Sequence, residues 1–134
     1  YRSGGGIISI IDKQFDNGSP NYGGWGFWLY TTNKLTLWVH GSKDMIDTGS
    51  AISLNTWTHV AVVRSSGVIT LYTNGVASGT ASYSDAATNT LPVEIGAWTS
   101  GGGVFTGYID DARITRYARY TANFTPPSAA FPTQ

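Results

Sequence analysis

The residues best suited to chemistry in this chain are large rings set beside short polar groups. Trp28 and Tyr30 occupy alternate positions of one apolar run, and Thr36, Trp38 and His40 occupy alternate positions of the next. Alternate residues of an extended strand point to one side, and both runs read as strands, so these five side chains share a face. Sugars present C–H faces that pack on aromatic rings and hydroxyls that bond to Asn, Asp, Thr and His, and such a face suits a saccharide. It suits a second sheet or a neighbouring subunit as well, because aromatic side chains dominate cores and interfaces alike. Further candidates lie in three Gly-rich connections, 16–24, 41–47 and 97–103, which carry Asp16, Asn17, Asn21, Tyr22, Asp44 and Trp98. Glycine lets a ligand approach the backbone closely. For Asp16 to Ser19 a solvated turn is the better reading, whereas Asn21, Tyr22 and Trp98 stand as ligand candidates.

Catalytic chemistry is poorly provided for. Glycoside hydrolysis needs two carboxylates flanking the scissile bond, but Glu94 is the only Glu and its own run, residues 93–96, holds no second acid. His59 and His40 are the only histidines, and no Ser-His-Asp order, phosphate loop or zinc spacing can be assembled around them. Asp110 and Asp111 are the only adjacent carboxylates. As strand neighbours they point oppositely, so only a bulge or nearby carbonyls would complete a calcium site there. The structural alternative has Asp110 partly buried and bonded to backbone N–H groups.

The elements that must position these groups are β-strands. The 134 residues suffice for one domain with a real core. Aromatic residues make up 13% and charged residues only 12%, about half the usual share, so the surface is mostly neutral and polar. Eight basic residues balance eight acidic ones, which removes the field that would draw nucleic acid or an anionic membrane. The absence of cysteine excludes disulfides and thiolate chemistry. No apolar run approaches the 18 or so residues of a membrane helix, and the first residues do not read as a signal peptide, so a soluble chain is expected.

Short β-branched and aromatic runs recur between turn residues, as in a sandwich or jelly roll. They predict strands over 7–12, 25–30, 35–40, 45–52, 57–64, 68–73, 76–82, 93–96 and a long last one over 104–115. Alternation assigns Phe27, Leu29, Leu35, Leu37 and Val39 to the core face. The run 57–64 is apolar on both faces and reads as a central, doubly covered strand. Pro126, Pro127 and Pro132 predict an extended tail.

The sequences Trp57-Thr58-His59-Val60-Ala61-Val62-Val63-Arg64, Ile69-Thr70-Leu71-Tyr72-Thr73-Asn74-Gly75-Val76 and Gly107-Tyr108-Ile109-Asp110-Asp111-Ala112-Arg113-Ile114 occur in an order that resembles the laminin-G-like, concanavalin A-like jelly-roll superfamily. The ending Ala118-Arg119-Tyr120-Thr121-Ala122-Asn123-Phe124-Thr125-Pro126-Pro127 is similar to that of laminin-G-like domains in phage virion proteins, head and tail fibres among them. The resemblance implies an all-β, two-sheet antiparallel sandwich over 1–121 followed by a Pro-rich tail over 122–134. It implies a structural role for His59 and for the Ile-Asp-Asp-x-Arg-Ile strand, and a non-enzymatic module in a virion or extracellular setting. Many relatives bind calcium at a rim, although no ligand set matches here. Family members usually begin with two further strands, so the expectation is a jelly roll lacking its first strands, belonging to a larger chain or oligomer. Two functions follow as expectations. One is adhesion through cell-surface glycans at Trp28, Tyr30, Trp38, His40, Trp98, Asn21 and Tyr22. The other is structural decoration, with the same rings packed on neighbouring subunits.

Overall fold

The computed structural model describes residues 1–4, 6–13, 24–39, 44–83, 90–98 and 101–131. Its strands are β1 (Ile8–Lys13), β2 (Trp25–Leu29), β3 (Leu35–Val39), β4 (Asp44–Asp47), β5 (Val60–Ser65), β6 (Val68–Thr73), β7 (Val76–Ser82) and β8 (Glu94–Ile95). They form two antiparallel sheets, ordered β4-β3-β2-β1-β8 and β5-β6-β7. No helix of the described residues is long and apolar enough to cross a membrane.

Alternation decides what each strand buries. Ile8 pairs with Leu29, Phe27 with Leu37, and Leu29 with Leu35, and these side chains enter the core together with Ile69 and Leu71 of β6. A register shift between Ser9 and Ile11 marks a bulge in β1. Bulges put two residues of one strand opposite one of its partner, and here Ile10 and Ile11 both pack on the core without inverting the rest of the strand. Asp12, beyond the bulge, therefore returns to the outer face occupied by Ser9. The hairpin β2–β3 closes on Asn33, whose φ of 60° is the left-handed conformation that Asn tolerates. Arg2, almost fully buried, fastens the N-terminal segment to that turn by donating to Asn33 Oδ1 at 2.6 Å and to the Gly6 carbonyl at 2.9 Å.

Two sequence expectations are corrected. The long last strand over 104–115 does not form: among the described residues the segment has one isolated bridge, Gly107 to Arg2, extended by hydrogen bonds from Ser3 N to Thr106 O and from Tyr108 N to Tyr1 O. Its side chains alternate suitably, but a strand exists only where another backbone meets its N–H and C=O groups, and beyond Tyr108 none does among the described residues. The run 57–64 is likewise no doubly covered central strand. Among the described residues β5 has a strand neighbour on one side only, Val60, Ala61 and Val62 are half-buried, and Trp57 is 58% exposed. Between β5, the larger sheet and the segment 104–120 lies a cleft of about 830 Å³ walled by Ile10, Phe27, Leu37, Val60, Val62 and Ile109.

Residues 122–131 take neither helix nor strand, as Pro126 and Pro127 predict, yet they are fastened to the smaller sheet. Phe124 N donates to Gly75 O at 2.9 Å, and Ala77 N donates to Asn123 Oδ1 at 3.0 Å. A Cβ at Gly75 would collide with the Phe124 carbonyl, and its φ of 79° already favours glycine, so this turn residue is also where the tail crosses. Tyr120 and Phe124 stack at 3.5 Å, and Phe124 meets Tyr72 and the edge of His59.

Candidate functional site

The outer face of the larger sheet is built by register. Ser9, Trp28, Thr36 and Asp47 lie in one row across β1, β2, β3 and β4. Glu94, Asp12, Gly26 and Trp38 lie in the next row, across β8, β1, β2 and β3. Gly26 has a definite task in this arrangement. A Cβ there would come within 2.3 Å of the Trp28 indole, so the missing side chain lets Trp28 lie along its own strand toward Trp38. The two rings stack with centroids 5.7 Å apart and planes inclined by 25°.

Trp98 reaches the same place from beyond β8. Its N–H donates to Gly102 O at 3.1 Å, and Gly101 N donates back to Trp98 O at 3.2 Å, closing a small loop. Gly101 and Gly103 take φ values of 77° and 55°, and a Cβ at Gly102 or Gly103 would strike the Trp98 ring. The glycines thus bend the chain and leave room for the indole to lie over them. It meets Trp28 at 5.5 Å and 55°. Trp38, Trp28 and Trp98 consequently form one continuous aromatic surface, each ring half-buried.

Polar groups hold this surface from below. The Trp28 indole N–H donates to Asp12 Oδ2 at 3.0 Å, and Asp12 is almost fully buried. The Thr36 hydroxyl donates to Asp47 Oδ1, and Asp47 is exposed. The Ser9 hydroxyl is buried without a hydrogen-bond partner among the described residues, while Ser9 N donates at 2.8 Å to Gly103 O, beneath the Trp98 ring. The cross-strand neighbours Asp12 and Glu94 are the acid pair that a search along single strands misses. Only the sheet register reveals it. With Asp12 enclosed and holding Trp28, the pair is not open to a glycosidic bond as two flanking carboxylates must be.

Of the expected site residues, Trp28, Trp38 and Trp98 come together. Tyr30 is on the same face beyond Trp28, half-buried, and has no ring contact among the described residues. His40, Asn21 and Tyr22 lie outside the described residues, as do Asp16 and Asn17. Asp110 is exposed, contrary to the partial burial expected of it. It accepts a backbone N–H, that of Asp111 at 2.8 Å, and Asp111 takes a φ of 49°. Burial fails because 104–115 lacks the flanking strand that would cover it. Among the described residues no group of three or more His, Cys, Asp or Glu is gathered around Asp110 and Asp111.

His59 directly precedes β5 of the smaller sheet, and its contacts are with the Asn74 turn and Phe124. His59 N donates to Asn74 Oδ1 at 3.0 Å, and Asn74 N donates to His59 O at 2.8 Å. Burial, and then the nearby Arg113 guanidinium, push its pKa below the ordinary value.

No curated protein matches this chain. Among solved structures, an S-layer domain-containing protein (residues 221–444) from Clostridium thermocellum aligns at 29% identity and a TM-score of 0.45, over 84% of this chain. The chain spans 58% of that structure. A laminin G family model described as the concanavalin A-like lectin/glucanases superfamily matches residues 3–123. That match covers both sheets and the segment bordering the cleft, and the chain belongs to the concanavalin A-like lectin/glucanase superfamily.

Proposed function

We propose that this chain is a non-enzymatic glycan-binding module displayed on a virion or another extracellular assembly. The observation that carries the reading is the continuous surface of Trp38, Trp28 and Trp98 on the outer face of the larger sheet, away from the core. Three glycines are spent on seating these rings, and exposed aromatic area of that kind suits the C–H face of a sugar. The enclosed state of Asp12 beside Glu94 favours binding over hydrolysis. The virion setting is supported by the likeness of the ending, residues 118–127, to laminin-G-like domains of phage particles.

Glycan-array binding by the intact chain tests this reading, with Trp28→Ala, Trp38→Ala and Trp98→Ala as controls. Each substitution is expected to weaken binding about tenfold, equivalent to about 1.4 kcal/mol. A folded chain that binds no glycan, or binding indifferent to all three substitutions, overturns it.

A second reading, structural assembly on neighbouring chains, is favoured by a different region. The side of β5 that has no strand neighbour among the described residues and the segment 104–115 border one apolar cleft, and an extended strand laid there would meet both backbones. Such a strand would come from a larger chain or from a neighbouring subunit. Protection of Val62 and Ile109 amides from hydrogen exchange in the native assembly, but not in the isolated chain, would support it. Equal exchange in both would remove it.

A further inference from the structure

We infer that the ligand of the tryptophan face is a glycan presenting hydrogen-bond donors, with unsubstituted amino sugars bound best, neutral sugars next, and acidic sugars refused. This inference rests on the glycan-binding reading and narrows it.

The polar inventory of the face is the starting point. Two of its donors are engaged internally: the Trp28 indole N–H is given to Asp12, and the Thr36 hydroxyl is given to Asp47. An exposed acceptor, the carboxylate of Asp47, stands at the β4 end of the Ser9–Trp28–Thr36–Asp47 row. Adjacent strands lie about 4.8 Å apart, so Asp47 stands two strands, or about 10 Å, from the Trp28 position. That is within the span of a sugar seated on the rings. A carboxylate accepts and never donates when ionised, and it binds an ammonium more strongly than a hydroxyl.

The second observation is the Ser9 hydroxyl. It is 0% exposed and without a hydrogen-bond partner among the described residues, directly across the ladder from Trp28 and joined through its backbone to the residue beneath Trp98. A buried hydroxyl without a partner is costly to keep. Its position, where Trp28 and Trp98 meet, marks a polar floor to an otherwise aromatic surface.

The rings add their own preference. The face of an indole is the best aromatic partner for a cation, and three indoles converge here. An acidic sugar would instead meet the negative ring faces and the Asp47 carboxylate. Among the described residues the one cation at an outward position of β2 and β3 or their turn is Lys34, which lies at the Tyr30 end, two residues beyond Thr36. Lys13 turns its ammonium to the Leu91 carbonyl at 2.8 Å.

The experiment is an array sorted into unsubstituted amino, neutral, and uronate or sialate glycans across several stereochemistries, probed with the intact chain, Asp47→Asn and Trp38→Ala. Half-saturating concentrations are expected to be roughly tenfold lower for amino than for neutral members, with acidic members unbound. Asp47→Asn should weaken binding of amino members most and so shrink the amino-to-neutral gap. Trp38→Ala should weaken every class. Acidic glycans binding as well as amino ones, or a gap unmoved by Asp47→Asn, overturns this inference while the glycan-binding reading stands. No binding to any class, or binding indifferent to Trp38→Ala, overturns both.

Discussion

The outer face of β1, β2 and β3 and the cleft beside β5 are both rich in large side chains, but they are held in opposite ways. On the outer face every tryptophan has a seat. Trp28 lies over Gly26 and is tied to Asp12, Trp38 stacks on it, and Trp98 lies over Gly102 and Gly103. Beside β5, Trp57, Tyr108, Ile114 and Tyr117 are exposed, and 104–115 runs without a ladder beyond Tyr108 among the described residues. The difference teaches that exposed apolar area has two meanings. On the readings proposed above, rings fixed by backbone and hydrogen bonds suit a ligand, whereas the apolar residues along the unpaired backbone beside β5 suit an added strand.

The largest expected effect separates the tightly packed region from the loose one. Leu35→Ala and Leu71→Ala, both at fully buried positions, should each cost about 2–5 kcal/mol in chemical denaturation. Val62→Ala in half-buried β5 should cost under about 1 kcal/mol. A Val62→Ala penalty matching that of Leu35→Ala would erase the contrast. Next comes Gly26→Val, whose side chain must displace the Trp28 ring. Crowding should cost about 1–3 kcal/mol, and the near-ultraviolet circular dichroism of the stacked indoles should be lost. An unchanged spectrum would show that the ring is not seated as described.

Smaller effects concern the tail. Asn123→Ala removes the acceptor for Ala77 N–H and should cost about 0.5–1.5 kcal/mol. A neutral result would mean that the tail is not fastened at this point. The smallest effect is one of pH. His59 binds its proton less readily folded than unfolded, because of burial and Arg113. The unfolded chain therefore takes up more protons as pH falls through the ordinary His value of 6.5. Its contribution is fully present above that value and is lost progressively down to the lowered folded pKa. The slope of stability against pH in this window should flatten in His59→Gln. An identical slope in the variant would assign the dependence elsewhere.

Much of this architecture was legible in the residues. The facing of Phe27, Leu29, Leu35, Leu37 and Val39 follows from period-two alternation, and the structure buries all five. The hairpin from β6 to β7 is announced by Asn74-Gly75, both at positive φ. Trp98 was readable as a ring in a glycine loop, but not as the neighbour of Trp28. The acid pair Asp12 and Glu94 was invisible, because its members stand on strands paired only in the folded sheet. The strand expected over 104–115 had the right pattern and failed for want of a neighbour.

Local pattern alone settles the class of the fold, the buried face of the first hairpin and the absence of helix and strand over 122–131. The reason is that side-chain direction and backbone preference are local, set within two or three residues. Tertiary structure decided which rings meet, which carboxylates are enclosed and which strand-like segments become strands. Those outcomes depend on contacts between distant parts of the chain, and a backbone hydrogen bond or a ring stack needs both partners in place.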